Sequence, residues 1–424
     1  MSQFLPVYLL FALFLYLTYN YYKNNGVKLF LYILVIYTVS AFCSVMYIHT
    51  DFFVIRNKLQ YEITYLPFLY WILAFWIVTS PIRTYDKLNN LSLCYSLSIV
   101  RYICIVGFLL SLLPLLEMLP KVGTIFNASN LAVMMSDLHD DDDKDLGLSM
   151  IGNLCFQLLN YGYSLFLLCI LPLFKNLKEN KFYLFCVFFV ILTMNFCAII
   201  NSTRGILVET IINLGVLFVI YLPWLSPKER QKILKYLLGF LLSTFFIFAL
   251  LTVMRNKIYV QSEESSTLSA FIFQYGGEGF INFNQYMDKI IHHTNGDFCF
   301  YTFKRMLGCD VPDTYRGYLY TIQDYVGIRL MIFYTFIGFF VIDIGYWGTL
   351  LFFLLISRIV KVPINKIKSI SFANLYLIFW YASIIANGTS LYKFSLKASN
   401  HIIFMLLIYI LLKKVSKGTK KETL

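Results

Sequence analysis

Apolar stretches long enough to cross a lipid bilayer recur along almost the whole chain. A transmembrane helix needs about 20 mostly apolar residues, with a range of about 17 to 25. Such runs lie near 4–22, 27–48, 63–80, 92–116, 148–174, 181–200, 206–225, 234–254, 327–357, 371–387 and 398–413. They predict an all-α fold over residues 1–424: a single polytopic helical bundle of about eleven transmembrane helices.

The composition of the chain agrees with a membrane protein. Of its residues 59% are hydrophobic and only 14% are charged, whereas a soluble domain has about 25% charged residues. The first apolar run has no basic residues before it and no small-residue cleavage site after it. It therefore indicates a first transmembrane helix and not a cleaved signal peptide.

Lysine and arginine residues are concentrated in alternate connections between the apolar runs. Cytoplasmic loops of membrane proteins carry the excess of these residues. The distribution predicts an outside N-terminus and a cytoplasmic C-terminus, and it explains the net charge of +12 without nucleic-acid binding. The basic connections are 23–28, 83–87, 175–181, 228–235, 358–368 and 413–421.

The run at 327–357 is too long for one simple span, yet only an odd number of crossings joins an outside loop to a cytoplasmic Arg358. Irregular backbone at membrane depth is tolerated where it is buried in protein or lines a cavity. We therefore predict a half-helix or tilted entry that is broken around residues 342–345.

Two of the predicted outside loops are long. The loop at about 117–147 contains an acidic run at 139–145, which is typical of a solvated, self-repelling loop; divalent-cation binding is the alternative. The loop at about 255–329 is rich in aromatic residues and glycine, and we expect it to fold onto the membrane domain. Its Cys299 and Cys309 are candidates for a disulfide if the loop faces an oxidising compartment.

Several arginines lie at or near the predicted outer surface. Arg204 is in a short polar corner between two apolar runs, Arg255 directly follows a run, and Arg305, Arg316 and Arg329 are in the large loop. These residues could act only as topological or interfacial anchors. Alternatively, their guanidinium groups could bind the phosphates of a lipid headgroup, because a planar guanidinium forms paired hydrogen bonds with phosphate oxygens.

The layout resembles a family of bacterial oligosaccharide repeat-unit polymerases, the Wzy type. Two arginines each precede a glycine by eleven residues, as in that family: Arg204 with Gly215, and Arg316 with Gly327. The other similarities are the many spans, the large outside loop, the Ser202–Gly205 corner, and the motifs Tyr334-Thr335, Asp343-Ile344-Gly345 and Gly348. The resemblance implies a GT-C-like membrane glycosyltransferase in the bacterial inner membrane.

The resemblance also implies the reaction and its partners. A growing glycan would move from its polyprenyl diphosphate carrier to a sugar hydroxyl of another lipid-linked repeat unit. The bilayer, a chain-length regulator and a flippase are further implied partners. The glycosyl diphosphate bond supplies the energy, so no cofactor or metal is expected, and the sequence has no Gly-x-x-x-x-Gly-Lys phosphate loop.

The implied chemistry assigns roles to two groups of residues. Arg204, Arg255, Arg305 and Arg316 are the candidates for stabilising the departing diphosphate. Glu278, Asp343 and His292, with its neighbour His293, are the candidates for the base. Each base candidate has an alternative: Glu278 could solvate a turn, Asp343 could cap a broken helix, and the histidines could be an exposed pair.

Two other functions are open at this point. A related ligase moves finished glycan from the same carrier onto a lipid acceptor, and its sequence features are similar. A transporter or flippase of lipid-linked sugar is the alternative from another class. Transporters generally show inverted repeats with broken helices, whereas this chain concentrates its polar residues in one outside loop.

Overall fold

Helices account for most of the chain. The structure is a computed structural model, and it describes residues 2–51, 53, 62–88, 92–121, 148–175, 177–200, 205–259, 268–309, 322–330, 332–361, 369–389, 398–415 and 422–423. The helices are α1 Leu5–Asn25, α2 Leu29–Tyr47, α3 Tyr65–Val78, α4 Ser80–Asp86, α5 Leu97–Met118, α6 Met150–Leu168, α7 Ile170–Lys175, α8 Leu177–Ile200, α9 Gly205–Tyr221, α10 Pro227–Tyr259, α11 Leu268–Tyr286, α12 Tyr301–Met306, α13 Phe336–Lys361, α14 Phe372–Asn387 and α15 Ala398–Val415. Three short strands are β1 Ser92–Tyr95, β2 Ser369–Ser371 and β3 Glu422–Thr423.

Each predicted apolar run contains helix, and several of the helices are long enough to cross a membrane. Among the described residues, six helices meet the length and hydropathy requirement: α1, α2, α5, α8, α9 and α13. The pair α3 and α4, which bends by 47° at Thr79, would be a seventh. The structure therefore supports a helical, multi-pass membrane protein, while the number eleven and the orientation stay predictions.

A small sheet departs from the expected all-helical chain. Strand β1 lies between the other two strands, parallel to β2 and antiparallel to β3. It occupies the first residues of the run 92–116, which we predicted as a helix from its start. Leu93 on β1 and Ile370 on β2 are paired and buried. A short apolar strand cannot be distinguished from the first turn of an apolar helix by its sequence pattern alone.

The chain forms two compact units, each assembled from segments that are distant in sequence. Unit 1 consists of Met1–Asn89, Ser266–Lys366 and Tyr381–Ile403, and unit 2 consists of Asn90–Ser265, Ile367–Trp380 and Phe404–Leu424. Unit 1 contains α1 to α4 and α11 to α13, and unit 2 contains the sheet and α5 to α10. The single-domain prediction for residues 1–424 stays a prediction.

Aromatic rings form the core of unit 1. The Trp71 ring lies 5.7 Å from Phe14, 5.3 Å from Tyr37 and 4.9 Å from Phe280, measured between ring centroids. Trp71 Nε1 donates a hydrogen bond of 2.8 Å to Thr335 Oγ1. Buried tryptophan needs such an acceptor, and this contact fixes α3 against the chain just before α13.

Helix α11 lies in the stretch 255–329, which the sequence predicted as a loop. Leu268–Tyr286 is helical, and the assignment of 255–329 as an outside loop stays a prediction. The expected packing onto the membrane helices is confirmed, because Phe280 contacts rings near the midpoints of α1, α2 and α3. Glycine and polar residues kept this helix from matching a transmembrane pattern, so only its packing reveals its position.

Close backbone approach joins α11 to α2. Ser44 Oγ donates a hydrogen bond of 2.8 Å to the Gly277 carbonyl oxygen, and Ser40 Oγ donates one of 2.5 Å to the Gly276 carbonyl oxygen. A Cβ atom at Gly277 would lie 2.3 Å from the Ser44 backbone nitrogen. Small residues permit this kind of approach between membrane helices.

We expect the change Gly277→Ala to lower the free energy of unfolding of the detergent-solubilised protein by about 2 kcal/mol, because overpacking against backbone forces the helices apart. Thermal unfolding monitored by circular dichroism would measure the change. Gly239 on α10 is the matched control, because a Cβ there meets nothing within 4 Å. An equal effect at both positions would contradict the close approach as the cause.

The break predicted around residues 342–345 is confirmed in α13. Gly345 has φ 73° and ψ 175°, which interrupts the helix between Phe336 and Lys361. Glycine adopts this backbone conformation readily, whereas other residues do so with strain. A Cβ at Gly345 would also lie 3.0 Å from His293 Nε2, so the broken segment is covered by the chain around residue 293.

Candidate functional site

Glu278 is a buried carboxylate on α11, with only 4% of its surface exposed. Gln274 Nε2 donates a hydrogen bond of 2.9 Å to Glu278 Oε2, and Asn282 Nδ2 donates one of 3.1 Å to Glu278 Oε1. The donors lie one helical turn before and one turn after the carboxylate, where side chains share a face. The alternative prediction of a solvated turn is therefore wrong for Glu278.

The same helix carries further buried polar side chains. Asn282 Nδ2 also donates a hydrogen bond of 2.9 Å to the Phe333 carbonyl oxygen, which links α11 to the chain before α13. Gln285, seven residues after Glu278, has a buried Nε2 with no hydrogen-bond partner among the described residues. Buried polar groups are costly in apolar surroundings. This polar face is therefore the strongest candidate site in unit 1.

Asp343 is fully buried, and four donors surround its carboxylate. Oδ1 accepts from Thr294 Oγ1 at 2.5 Å and from the Gly296 and Phe298 backbone N–H groups at 2.8 and 3.1 Å. Oδ2 accepts from the Cys299 N–H group at 2.9 Å. An ionised carboxylate has about four acceptor positions, and these contacts use both of its oxygens.

In this structure, Asp343 caps the turn at 294–299 and not the free end of its own helix. Its role as a base stays a prediction. The carbonyl oxygens of Ile342 and Asp343, just before the break in α13, also accept from the N–H groups of Thr294 and Asn295. Asp343 therefore joins the broken helix to the turn that covers it.

We expect Asp343→Asn to lower the free energy of unfolding by about 3 kcal/mol, because one carboxylate oxygen becomes an amide donor facing the Cys299 N–H group or the donors to Oδ1. Thermal unfolding in detergent would measure this loss. Asp324→Asn is the control, since Asp324 is exposed. Wild-type stability of the Asp343 variant would contradict the capping role.

His292 lies at the surface, and His293 lies at the covered break in α13. His292 is exposed, and its ring stacks on Tyr325 with 4.7 Å between the centroids. His293 packs against Gly345, and its Nδ1 is buried with no hydrogen-bond partner among the described residues. His292 is thus exposed, whereas Glu278 is buried.

The structure describes only part of the predicted arginine group. Arg305 is exposed on α12, and its Nη1 lies 3.5 Å from Tyr301 Oη. Arg255 belongs to helix α10, but its side chain lies outside the described residues, as do Arg204 and Arg316 entirely. The acidic run at 139–145 also lies outside them. The convergence of the arginines on a diphosphate stays a prediction.

The predicted disulfide between Cys299 and Cys309 is wrong, because both residues are free thiols. Cys299 is buried and Cys309 is exposed. Burial, with a smaller contribution from the nearby Asp343 carboxylate, raises the pKa of the Cys299 thiol well above its usual range. The thiolate is the form that attacks disulfides, so Cys299 is protected from exchange as well as from contact with Cys309.

Cys309 provides a direct test of the predicted orientation. It is the exposed member of the nine cysteines, while the others are buried or partly buried. We expect a membrane-impermeant maleimide to label the protein in spheroplasts without permeabilisation, and the change Cys309→Ser to remove the label. Labelling that requires permeabilisation would place this segment in the cytoplasm and contradict the orientation.

A second buried polar cluster, in unit 2, was not predicted from the sequence. Tyr163 Oη and Thr210 Oγ1 are 2.8 Å apart, and Thr210 Oγ1 donates a bond of 3.3 Å to Asn195 Oδ1. On the same helix, Asn213 Nδ2 donates a bond of 3.2 Å to Glu209 Oε1. Glu209 is an acidic residue within the apolar run 206–225. An acidic residue inside an apolar run was the criterion that singled out Asp343, and the same criterion would have found Glu209.

Neither buried cluster has the composition of a metal centre. Within the described ranges, no three His, Cys, Asp or Glu side chains lie close enough together to hold a metal ion. The site chemistry therefore consists of carboxylate, amide and hydroxyl groups. A scan against family models, a search of curated proteins and a search of solved structures each find no match for this chain.

Proposed function

We propose that this protein is a membrane glycosyltransferase that polymerises polyprenyl-diphosphate-linked oligosaccharide repeat units at the outer face of the bacterial inner membrane. The observation that carries the proposal is the buried Glu278 carboxylate, held between two amides on α11 among apolar helices. Buried ionisable groups inside helical membrane proteins are functional-site candidates because they are costly to keep there.

The reaction requires a base that is protected from bulk water. In our proposal, the acceptor hydroxyl oxygen forms a bond to the anomeric carbon of the donor, and its proton passes to Glu278. The anomeric carbon–oxygen bond to the carrier breaks, and its electron pair leaves with the polyprenyl diphosphate. Exclusion of water favours transfer to a sugar over hydrolysis.

The departing diphosphate requires positive charge. We assign this role to Arg204, Arg255, Arg305 and Arg316, four of the arginines that the sequence predicts at or near the outer surface. Of these, Arg305 is exposed on α12 in the same unit as Glu278, so its guanidinium group is accessible to the diphosphate of a lipid-linked donor. Preorganised cationic donors stabilise charge that develops in a transition state.

Transport of the same lipid-linked substrate is the second candidate function. Two discontinuous helical segments favour it: the bend of 47° between α3 and α4, and the break of α13 at Gly345. Transporters commonly build their substrate sites from broken helices. In α13, however, the break is covered by the turn at 294–299 and contacts His293, which favours a structural reason for it.

Cells that lack the gene should accumulate the unpolymerised lipid-linked repeat unit, which can be extracted and given to the purified protein in proteoliposomes. A polymerase yields a ladder of lengthened products, a ligase yields a single transfer to a lipid acceptor, and a transporter yields no new glycosidic bond. Gel electrophoresis and mass spectrometry of the products distinguish these results. Absence of any transfer with intact substrate and folded protein would overturn the glycosyltransferase proposal.

A further inference from the structure

Unit 2 contains a cavity of about 490 Å³ that is separate from both polar clusters. Its walls come from α7, α8, α9 and the first half of α10. The volume lies in the range of about 300 to 1,000 Å³ that is usual for small-molecule sites. None of the described residues of the proposed glycan site lines it.

The lining of this cavity is almost entirely apolar. Leucine, isoleucine and phenylalanine side chains form most of it, among them Phe188, Leu217 and Phe240. Tyr221 also lines the cavity, and its hydroxyl donates a hydrogen bond of 2.5 Å to the Leu168 carbonyl oxygen. A hydrocarbon chain suits this lining, whereas a polypeptide would leave its backbone polar groups without partners.

Lys232 is the one charged residue among the described residues that line the cavity. Its Nζ lies 5.8 Å from the Phe174 ring centroid, and the side chain is exposed. Within the part of the chain that the structure describes, no carboxylate lies within 4.0 Å of Lys232 Nζ. This ammonium group is therefore available to an anion at the cavity entrance.

Two of the neighbouring cations already have partners. Lys175 Nζ forms an ion pair of 3.0 Å with Glu229 Oε2. Arg230 donates hydrogen bonds to the carbonyl oxygens of Leu222 and Leu225. The cavity thus combines an apolar interior with a single uncommitted cation at one end. From Lys232 to Phe240 along α10 the distance is about 12 Å, at about 1.5 Å per helical residue.

We propose that this cavity binds an acyl chain of an anionic phospholipid whose phosphate pairs with Lys232 Nζ. The basic residues at 175–181 and 228–235 predict that this end of the cavity faces the cytoplasm. Anionic lipids give the cytoplasmic leaflet its negative surface potential, and juxtamembrane cations attract them. The charge at the entrance and the apolar interior then match the two parts of one lipid molecule.

Photo-crosslinking with lipid analogues tests the proposal. The purified protein is reconstituted in phosphatidylcholine vesicles that contain a phosphatidylglycerol probe with a diazirine on its acyl chain. Mass spectrometry should find the label on peptides that contain Phe218, Tyr221 or Tyr236, which line the cavity. A phosphatidylcholine probe with the same chain should label these peptides about fivefold less, since one interfacial cation favours an anionic lipid by about that factor.

Two variants separate the headgroup contact from the chain contact. Lys232→Gln should reduce phosphatidylglycerol labelling to the phosphatidylcholine level, whereas Lys235→Gln on the same helix should not, because Lys235 does not line the cavity. Leu214→Trp should reduce labelling by both probes by filling the cavity, with thermal unfolding as a check of its fold.

Three results would overturn the proposal. Equal labelling by the two probes, or unchanged selectivity in Lys232→Gln, would mean that the cavity holds hydrocarbon without selecting an anionic headgroup. Competition by polyprenyl phosphate at lower concentrations than phosphatidylglycerol would identify the carrier lipid as the occupant instead. None of these results bears on the glycan site, because its described residues do not line this cavity.

Discussion

Replacement of Glu278 by glutamine should abolish polymer formation while the protein stays folded. The reaction would lose its base, and general-base catalysis contributes about two to four orders of magnitude to rate. Glutamine has nearly the size of glutamate and keeps one acceptor oxygen for Gln274. Asn282 retains the Phe333 carbonyl oxygen as an acceptor, so we expect a stability cost of only about 1 kcal/mol.

The assay is the length of surface polysaccharide in cells whose own copy of the gene is deleted and replaced by the variant. Protein abundance and thermal unfolding are measured for each variant. Glu62→Gln is the matched control, since Glu62 is an exposed acid in the same unit. Glu278→Asp should have intermediate activity because it keeps the carboxylate but withdraws it by one methylene group. Polymer of normal length from Glu278→Gln would show that another group is the base.

Replacement of Arg204 or Arg316 by lysine should also remove most polymer formation, although the charge is kept. A topology signal needs only a positive charge, whereas binding of a diphosphate needs the paired donors of a guanidinium group. Loss of a donor set from a charged transition state costs about two to three orders of magnitude in rate. The two substitutions therefore separate a catalytic contact from a membrane anchor.

The choice of control for these arginine variants depends on the structure. Arg83 and Arg358 are both predicted to be cytoplasmic, and the sequence alone makes them equally suitable. Arg83, however, lies 3.6 Å from the Trp76 ring centroid and donates a hydrogen bond of 2.6 Å to the Trp76 carbonyl oxygen. A lysine there would lose packing as well as geometry.

Arg358 is exposed on the last turns of α13, so Arg358→Lys should be nearly silent and is the better control. Polymer length is measured as for Glu278, at matched protein abundance. Normal-length polymer at normal abundance from both Arg204→Lys and Arg316→Lys would make these residues surface anchors and would refute the diphosphate contact.

The helical content and its boundaries could largely be predicted from the sequence, because apolar length is a local property. Each predicted run contains helix, and the break in α13 falls at Gly345, within the predicted range. Helix α11 could not be predicted in this way. Its glycines and amides give no long apolar run, and it is held by contacts with Ser40, Ser44 and Trp71, more than 200 residues away in sequence.

The candidate site also divides into features that the local sequence predicts and features that depend on distant contacts. The sequence by itself singled out Glu278, Asp343 and His292 as candidates for the base. Only the tertiary structure shows how the surroundings of these three side chains differ. Glu278 is the site candidate because distant helices bury it and two amides on its own helix donate to it. Asp343 is a cap because four donors from the turn at 294–299 surround its carboxylate. His292 is exposed beside Tyr325 and lies at the surface. Burial and hydrogen bonding depend on residues distant in sequence, so a local pattern cannot assign these roles.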